Sequence, residues 1–323
     1  MRAALLSPSP ISANPLDTTT NEMTTETTHI SVCVCTFRRK DFLKRLLTEL
    51  DSQDTNGRFT YSVVVADNDH LQSAKAVTVE FSAASTIPAK YCVEPRQNIA
   101  LARNKAIENA SGDFVAFIDD DELPTKRWLL TLFEACNKYG VAGVLGPVKP
   151  HFDEKPPNWV VKGKFYDRST YPTGFVIDWR KGRTGNVLLK RSIFLEETQP
   201  FRPDFLSGED QDFFRRMIEK GHMFVWCNEA VAYETVPPIR WKRTFMLRRA
   251  LLRGAVSLLD PTFGARDIAK SLIAVPVYTV MLPFTLVLGQ HRFMTHLVKL
   301  FDHIGRLLAL VGIKPIKEAY VTD

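Results

Sequence analysis

Phe114-Val115-Ala116-Phe117-Ile118-Asp119-Asp120-Asp121-Glu122 decides how this chain is read. Five apolar residues form a run short enough for one buried strand, and four carboxylates follow without a break. Like charges packed this closely repel, and folding gains little from them unless a cation lies among them. A divalent metal carrying a phosphate suits such a place, because Mg²⁺ or Mn²⁺ takes one or two carboxylates and leaves its other positions to water and phosphate oxygens. The plainer reading is an acidic turn capping a helix that starts near Pro124 and Trp128, but a cap needs one carboxylate and not four.

Working outward, the chain alternates strand and helix. Ile30 to Cys35 is β-rich, and Arg39 to Leu50 carries Phe42, Leu43, Leu46, Leu47 and Leu50 on one helical face. Tyr61 to Ala66 and Tyr91 to Val93 read as strands, and Ile99 to Ala110 as a helix. Phe114 to Ile118, a helix from Trp128 to Tyr139, and Val141 to Val148 complete an α/β stack built on a parallel sheet. Ligands of such sheets sit beyond the carboxyl ends of the strands, and Thr36, Arg38, Asp67, Asn68, Glu94 and the acidic run all fall there.

The turn after the first strand, Thr36-Phe37-Arg38-Arg39, has no glycine, which argues against a dinucleotide fold, and no P-loop occurs. Phosphates would then be held by metal and side chains. Asp67 follows Val63-Val64-Val65 and is placed either to accept from a nucleobase or ribose or to close the strand as an Asx turn. Gly185-Asn186 is placed to offer amides to a sugar, or is a plain turn.

The segments Cys33–Arg39 (CVCTFRR), Val63–Asp69 (VVVADND), Asn98–Asn104 (NIALARN), Phe114–Pro124, Thr184–Arg191 (TGNVLLKR) and Gly208–Arg216 (GEDQDFFRR) stand in one order. That order resembles the family 2 glycosyltransferases of GT-A fold, and among them the bacterial exopolysaccharide glucosyltransferases of the succinoglycan type, over roughly residues 30 to 250. The resemblance implies that Thr36 and Arg38 border the nucleotide and that Asp67, with Asn68 beside it, meets the uracil or its ribose. It implies that Arg103 and Asn104 support the pyrophosphate pocket and that Asp119 and Asp121, with Asp120 between them, form a DXD motif for Mg²⁺ or Mn²⁺. Asp210 would be the catalytic base, with Glu209 as the alternative. The implied donor is a nucleotide sugar of the UDP class and the implied acceptor a lipid-linked saccharide, with inversion at the transferred carbon. Arg38, Ala100 and Thr184 depart from the residues usual at their positions. Read without the resemblance, Ser207 and Asp210 also fit a capping box.

Composition is that of a globular protein. Among 323 residues, 45% are hydrophobic, and 42 Lys and Arg against 36 Asp and Glu leave a charge of +6 that favours anionic partners. The five cysteines are scattered and read as buried thiols in a reducing compartment. Residues 1–28, rich in Thr, Ser and Pro, are expected to be a disordered tail without a secretory signal, and Met23 is a candidate alternative start. The catalytic domain is expected over 29–238. Between Lys149 and Lys181 a Pro- and aromatic-rich stretch reads as a long loop, with Trp159 either packed or presented to sugar.

Residues 239–323 change character. Arg240, Lys242, Arg243, Arg248, Arg249 and Arg253 interleave with apolar residues, as in a basic helix lying on anionic membrane, and the reading assigns membrane and not nucleic acid as partner. Ser271 to Leu288 is uncharged and apolar but interrupted by Pro276 and Pro283. A single span would leave Arg292, Lys299 and Arg306 on the far side, so an interfacial or re-entrant hairpin on the cytoplasmic face of the inner membrane is expected, against a buried hairpin in a soluble dimer. A sugar nucleotidylyltransferase, its Gly-rich loop missing, and a non-catalytic membrane-binding module, which leaves the carboxylates unexplained, are the alternatives.

Overall fold

The computed structural model describes residues 27–205, 208–260, 262–313 and 316. The expected tail, all but its last two residues, the start at Met23 and the cap at Ser207 lie outside the described residues. In chain order the strands and helices are β1 (His29–Thr36), α1 (Lys40–Asp51), β2 (Thr60–Asp67), α2 (Lys75–Ala84), β3 (Ala89–Val93), α3 (Ile99–Asn109), β4 (Phe114–Phe117), β5 (Glu122–Pro124), α4 (Trp128–Tyr139), β6 (Gly143–Leu145), β7 (Val148–His151), α5 (Asn158–Lys162), β8 (Val187–Lys190), α6 (Glu209–Glu219), β9 (Phe224–Trp226), β10 (Ala232–Thr235), α7 (Arg243–Val256), α8 (Ala265–Val287) and α9 (Gln290–Leu310).

Seven strands form the main sheet in the order β3-β2-β1-β4-β8-β6-β9, mostly parallel. The period of two explains its burial on both faces. Ile30, Val32 and Val34 of β1, with Val63 and Val65 of β2, pack toward α1 and α4, while Cys33, Val64 and Ala66 point to the opposite core with Phe213, Phe214 and Met217 of α6. Leu43, Leu46, Leu47 and Leu50 of α1 are buried, as the 3.6-residue spacing requires.

Two expectations are corrected. β8 runs antiparallel between β4 and β6, and the single strand expected from Val141 to Val148 is split. Gly146-Pro147 divides it, and β7 passes to a small second sheet, β5-β10-β7. Pro147 has no N–H to continue a ladder. The acidic run therefore leads into β5, which pairs with β10, and does not cap α4, whose N-cap position is Arg127. α2 has no counterpart in the sequence reading, because Thr78 alone among its residues is buried and the helix has little apolar contrast. The stretch from Lys149 to Lys181 includes part of β7, the short α5 and a 3₁₀ turn at Trp179–Lys181, and Trp159 packs edge-on against Phe165 with ring centroids 5.5 Å apart.

The C-terminal region is a three-helix unit. The expected basic helix starts at Arg243, because Pro238–Trp241 form a separate 3₁₀ turn. α7 crosses α9 at contact distance through two glycines. A Cβ on Gly254 would stand 2.0 Å from the Asp302 carbonyl oxygen, and one on Gly305 would stand 2.2 Å from that of Leu251. α8 and α9 form a hairpin turned at Gly289, whose φ of 116° suits glycine. The break expected at Pro276 and Pro283 does not occur: α8 runs through both, supported along its length by α9. α8 is long and apolar enough to cross a membrane, and little of it is buried. Phe284 is 63% exposed and Val287 88%.

Candidate active site

A cavity of about 570 Å³ opens beyond the carboxyl ends of β1, β2 and β4 and is roofed by α7. Thr36 ends β1, and its hydroxyl donates to Asp120 Oδ2 at 2.7 Å. Arg39, leading into α1, reaches Asp120 Oδ1 at 3.2 Å and Asp121 Oδ2 at 3.3 Å. From the far side Arg240 donates to Asp121 Oδ2 at 3.0 Å and to Glu234 Oε1 at 2.9 Å, and Arg168 pairs with the other Glu234 oxygen. Across the cavity Arg103 of α3 pairs with Glu209, the first residue of α6, and its guanidinium lies 5.6 Å from the centre of the Phe201 ring. Asp210 follows, half-buried, with its Oδ1 accepting from the Gln211 amide at 2.7 Å.

Arg39, Arg103, Arg168, Arg240, Arg249 and Arg253 line the same cavity as Asp119, Asp120, Asp121, Glu209 and Glu234, yet burial keeps several of the carboxyls from ionising freely. Burial, then Asp120 and Glu234, push the Asp121 carboxyl up to about 7 against the opposing pull of Arg240. Burial also raises Asp120, and burial followed by Asp119 holds Glu122 well above the usual carboxylate range. Glu122 Oε1 is buried without a hydrogen-bond partner. A Cβ on Gly185 would lie 2.8 Å from that oxygen and 2.9 Å from Asp119 Oδ2, so only glycine leaves these carboxylates room at that position. The carboxylate oxygens of Asp119 and Glu122 that share the space left by Gly185, one of them unpartnered, are hard donors of the kind that Mg²⁺ or Mn²⁺ takes. Among the described residues no three His, Cys, Asp or Glu side chains converge to hold a metal by themselves, so a cation held here would need further ligands from phosphate or water.

The site residues expected from sequence divide into two sets. Thr36, Asn68, Arg103, Asp119, Asp120, Asp121 and Glu209 line the cavity, and Asp210 adjoins Glu209. Arg38, Asp67, Asn104 and Asn186 do not line it. Arg38 adopts φ 56° and pairs with Asp69 at 3.1 Å, and it is the neighbouring Arg39 that meets the acidic run. Asp67 is fully buried, its carboxylate accepting from Tyr91 Oη and the Ala74 amide at 2.8 Å and from the Asp69 amide at 3.1 Å. This is the strand-closing reading. Asn104 exchanges two hydrogen bonds with the backbone of Phe201 and so fixes the loop leading to α6. Asn186 is also fully buried. Its Oδ1 accepts from the Trp128 indole at 2.7 Å, and its Nδ2 donates to the Pro147 and Ala230 carbonyls at 2.8 Å each. Its amide ties the two sheets together and has no hydrogen to offer a sugar.

Sequence reasoning missed Arg39, Arg168, Glu234, Arg240 and Arg249 in the cavity wall. Sequence places Arg240 in the basic helix expected on a membrane, yet it is 6% exposed. Pro237-Pro238 was the available signal, since a helix cannot run through that pair without loss. Arg168 lies in an aperiodic stretch where no spacing marks it.

The family model described as glycosyl transferase family 2 matches residues 31–196. The succinoglycan biosynthesis protein ExoM of Rhizobium meliloti is 32% identical over 306 residues, covering 92% of this chain and 97% of ExoM. A GalNAc(5)-diNAcBac-PP-undecaprenol beta-1,3-glucosyltransferase of Campylobacter jejuni is 28% identical over 122 residues, 36% of this chain and 37% of that protein. Among solved structures, the mannosyltransferase PcManGT of Pyrobaculum calidifontis, in complex with GDP-Man and Mn²⁺, matches with a TM-score of 0.58 at 17% identity over 88% of each chain. The family match over half of the chain, the similarity to ExoM along nearly its whole length and the fold shared with PcManGT agree, and the chain belongs to glycosyl transferase family 2, with the GT-A fold.

Proposed function

We propose that this enzyme is a metal-dependent inverting hexosyltransferase that moves a sugar, glucose by similarity to the succinoglycan-type enzymes, from a UDP-class nucleotide sugar to a lipid-linked oligosaccharide. The observation carrying the reading is the cavity that sets Asp119, Asp120 and Asp121 on one wall against Arg103, Glu209 and, beside it, Asp210 on another. Similarity to ExoM supports a place in exopolysaccharide synthesis, and similarity to the undecaprenol-linked glucosyltransferase supports the acceptor class.

Asp119 and Asp121 would hold the Mg²⁺ or Mn²⁺ that, when bound, screens charge growing on the departing diphosphate. Inversion needs one base. Asp210 takes the proton of the acceptor hydroxyl, whose oxygen forms the new bond to the sugar carbon as the bond to the nucleoside diphosphate breaks on the other face. Burial, followed by the neighbouring Glu209, pushes Asp210 up to about 6, in the range useful to a base at neutral pH. The helix start that would keep it ionised is outweighed. Glu209 is bound to Arg103 and acts as the positioning counterion. Arg39 and Arg240 supply positive charge where the diphosphate lies. The exposed apolar face of α8 supports a peripheral or re-entrant seat on the cytoplasmic side of the inner membrane.

The test is a nucleotide-sugar panel with Mn²⁺ or Mg²⁺ and a polyprenyl diphosphate saccharide, followed by calorimetry with the nucleoside diphosphate. Asp210→Asn is expected to retain diphosphate binding and lose transfer by about 10²–10⁴-fold. Asp119→Asn is expected to lose the metal-dependent part of binding. Wild-type transfer by Asp210→Asn alongside inactive Glu209→Gln reverses the assignment, and metal-independent wild-type transfer overturns the cation.

A further inference from the structure

A second cavity, of about 390 Å³, lies between α7, α8 and α9, apart from the acidic crevice. Four cations line it: Arg253 from α7, Lys270 from α8, and Lys299 and Arg306 from α9. One carboxylate opposes them. Asp302 is bound by Arg253 through two hydrogen bonds of 2.9 and 2.5 Å and is thereby spent. Arg306 donates to the hydroxyls of Ser257 at 2.8 Å and Ser271 at 3.1 Å, both neutral. Lys270 and Lys299 have no hydrogen-bond or ion-pair partner among the described residues. Ser271, fully buried, also shares a 3.0 Å hydrogen bond with His303 Nδ1. Burial, then Arg306, hold the His303 pKa below its ordinary value, so the imidazole is neutral and the uncompensated charge rests on the Lys and Arg side chains.

We infer that this cavity binds a phosphate or diphosphate group carried by a lipid. Three placements argue for that amphiphile. The cations converge in a concave space between helices and are not spread along a surface. Immediately after Lys270 and Ser271, α8 turns out an apolar stripe, with Leu272 59% and Ile273 66% exposed, so a hydrocarbon chain has a path along the helix. Arg253 lines both this cavity and the acidic crevice, so a head group seated here leaves whatever it carries beside the transfer site. This inference rests on the lipid-linked acceptor reading and names where the acceptor's phosphate sits. The same chemistry has a second source in the head group of an ordinary anionic phospholipid.

The experiment uses full-length protein and neutral phosphatidylcholine vesicles doped with polyprenyl diphosphate or, at equal charge, with phosphatidylglycerol. Lys270 and Lys299 are exposed and unpaired, so Lys270→Gln/Lys299→Gln removes charge without disturbing packing. At roughly fivefold per lysine near an anionic head group, the double variant is expected to bind doped vesicles about 30-fold more weakly, with inorganic pyrophosphate competing only in the wild type. Arg266→Gln/Arg292→Gln removes equal charge from exposed positions outside the cavity and is expected to change binding less than threefold. A larger loss with polyprenyl diphosphate assigns the site to the acceptor, and equal loss on both vesicles supports it as a phospholipid head-group site. Wild-type binding by the lysine double variant overturns the inference, as does an equal loss in the arginine control. Donor hydrolysis is expected to be unchanged in both. If wild-type protein transfers nothing from any donor, the functional reading fails while vesicle binding still reports on the cavity.

Discussion

Replacing Arg240 with methionine tests the electrostatic account of the crevice. The side chains of Arg240, Asp121 and Glu234 are 7%, 8% and 10% exposed, so the cost belongs to a buried network and not to a surface pair of about 0–1 kcal/mol. Removing one partner of a buried pair costs about 3–5 kcal/mol, because it strands charge in a poor solvent. Arg39 still reaches Asp121, and Arg168 still reaches Glu234, which places the expected loss near the lower bound. An unfolding entropy of about 2.1 cal/mol/K per residue over roughly 280 residues is about 0.6 kcal/mol/K, so Tm should fall by about 5 °C. The assay is calorimetry at pH 7.5 without nucleotide or metal. Asp121→Asn placed in the Arg240→Met background should restore part of the loss, because the stranded carboxylate is then gone. A Tm within 1 °C of wild type, or a double variant no more stable than Arg240→Met, refutes the reasoning.

Three further outcomes are expected. Asn186→Ala leaves the Trp128 indole and the Ala230 carbonyl buried without partners, while the Pro147 carbonyl keeps its bond from the Ala232 amide, and puts alanine at φ 58°, so urea unfolding should show a loss of about 3 kcal/mol while the donor KM of folded protein is unchanged; a large KM effect would return Asn186 to the sugar. Since the folded pKa of Asp210 is raised to about 6 and the base works ionised, kcat/KM should rise with pH through about 6 and level above 7, and a flat profile from pH 5 to 8 would contradict this. The same shift makes the folded state bind that proton more tightly than the unfolded state, so the group's contribution to stability falls between about pH 4 and 6. Gly305→Ala drives a methyl against the Leu251 carbonyl and should cost about 1–3 kcal/mol by thermal unfolding, with no loss expected if α7 and α9 did not touch.

Much of the fold was legible because β1, β2 and β4 are buried on both faces and α1 on one, which leaves clean apolar runs and a clean helical period. Thr36 and the acidic run were legible as site residues because they stand at the ends of those strands, whereas Arg103, inside α3, was reached only through the family resemblance. What was hidden depends on pairing in space. β8 inserts antiparallel between strands that precede it in the chain, and nothing in Val187 to Lys190 states its direction. Asn186 and Gly185 read alike in sequence, but one is committed to three hydrogen bonds and the other makes room for Asp119 and Glu122. Arg240 and Arg243 are three residues apart in a basic stretch. One is buried against two carboxylates and the other is exposed, a distinction set by a 3₁₀ turn.

The glycine crossing between α7 and α9 bears on how this enzyme can be cut, grafted or inherited. Gly254 and Gly305 let two backbones meet where any side chain would collide, so the faces are matched atom to atom and neither can change alone. α7 also supplies Phe245, Arg249 and Leu252 to the crevice roof. A chimera joined after residue 260 would pair a foreign α9 with a native α7 and lose the fit, while one joined before Arg243 would carry the fit but replace the roof. The natural module boundary therefore runs through the acidic crevice. Exchanging the apolar α8–α9 hairpin with a relative's while keeping the acidic crevice intact requires α7 to be redesigned on both its faces at once.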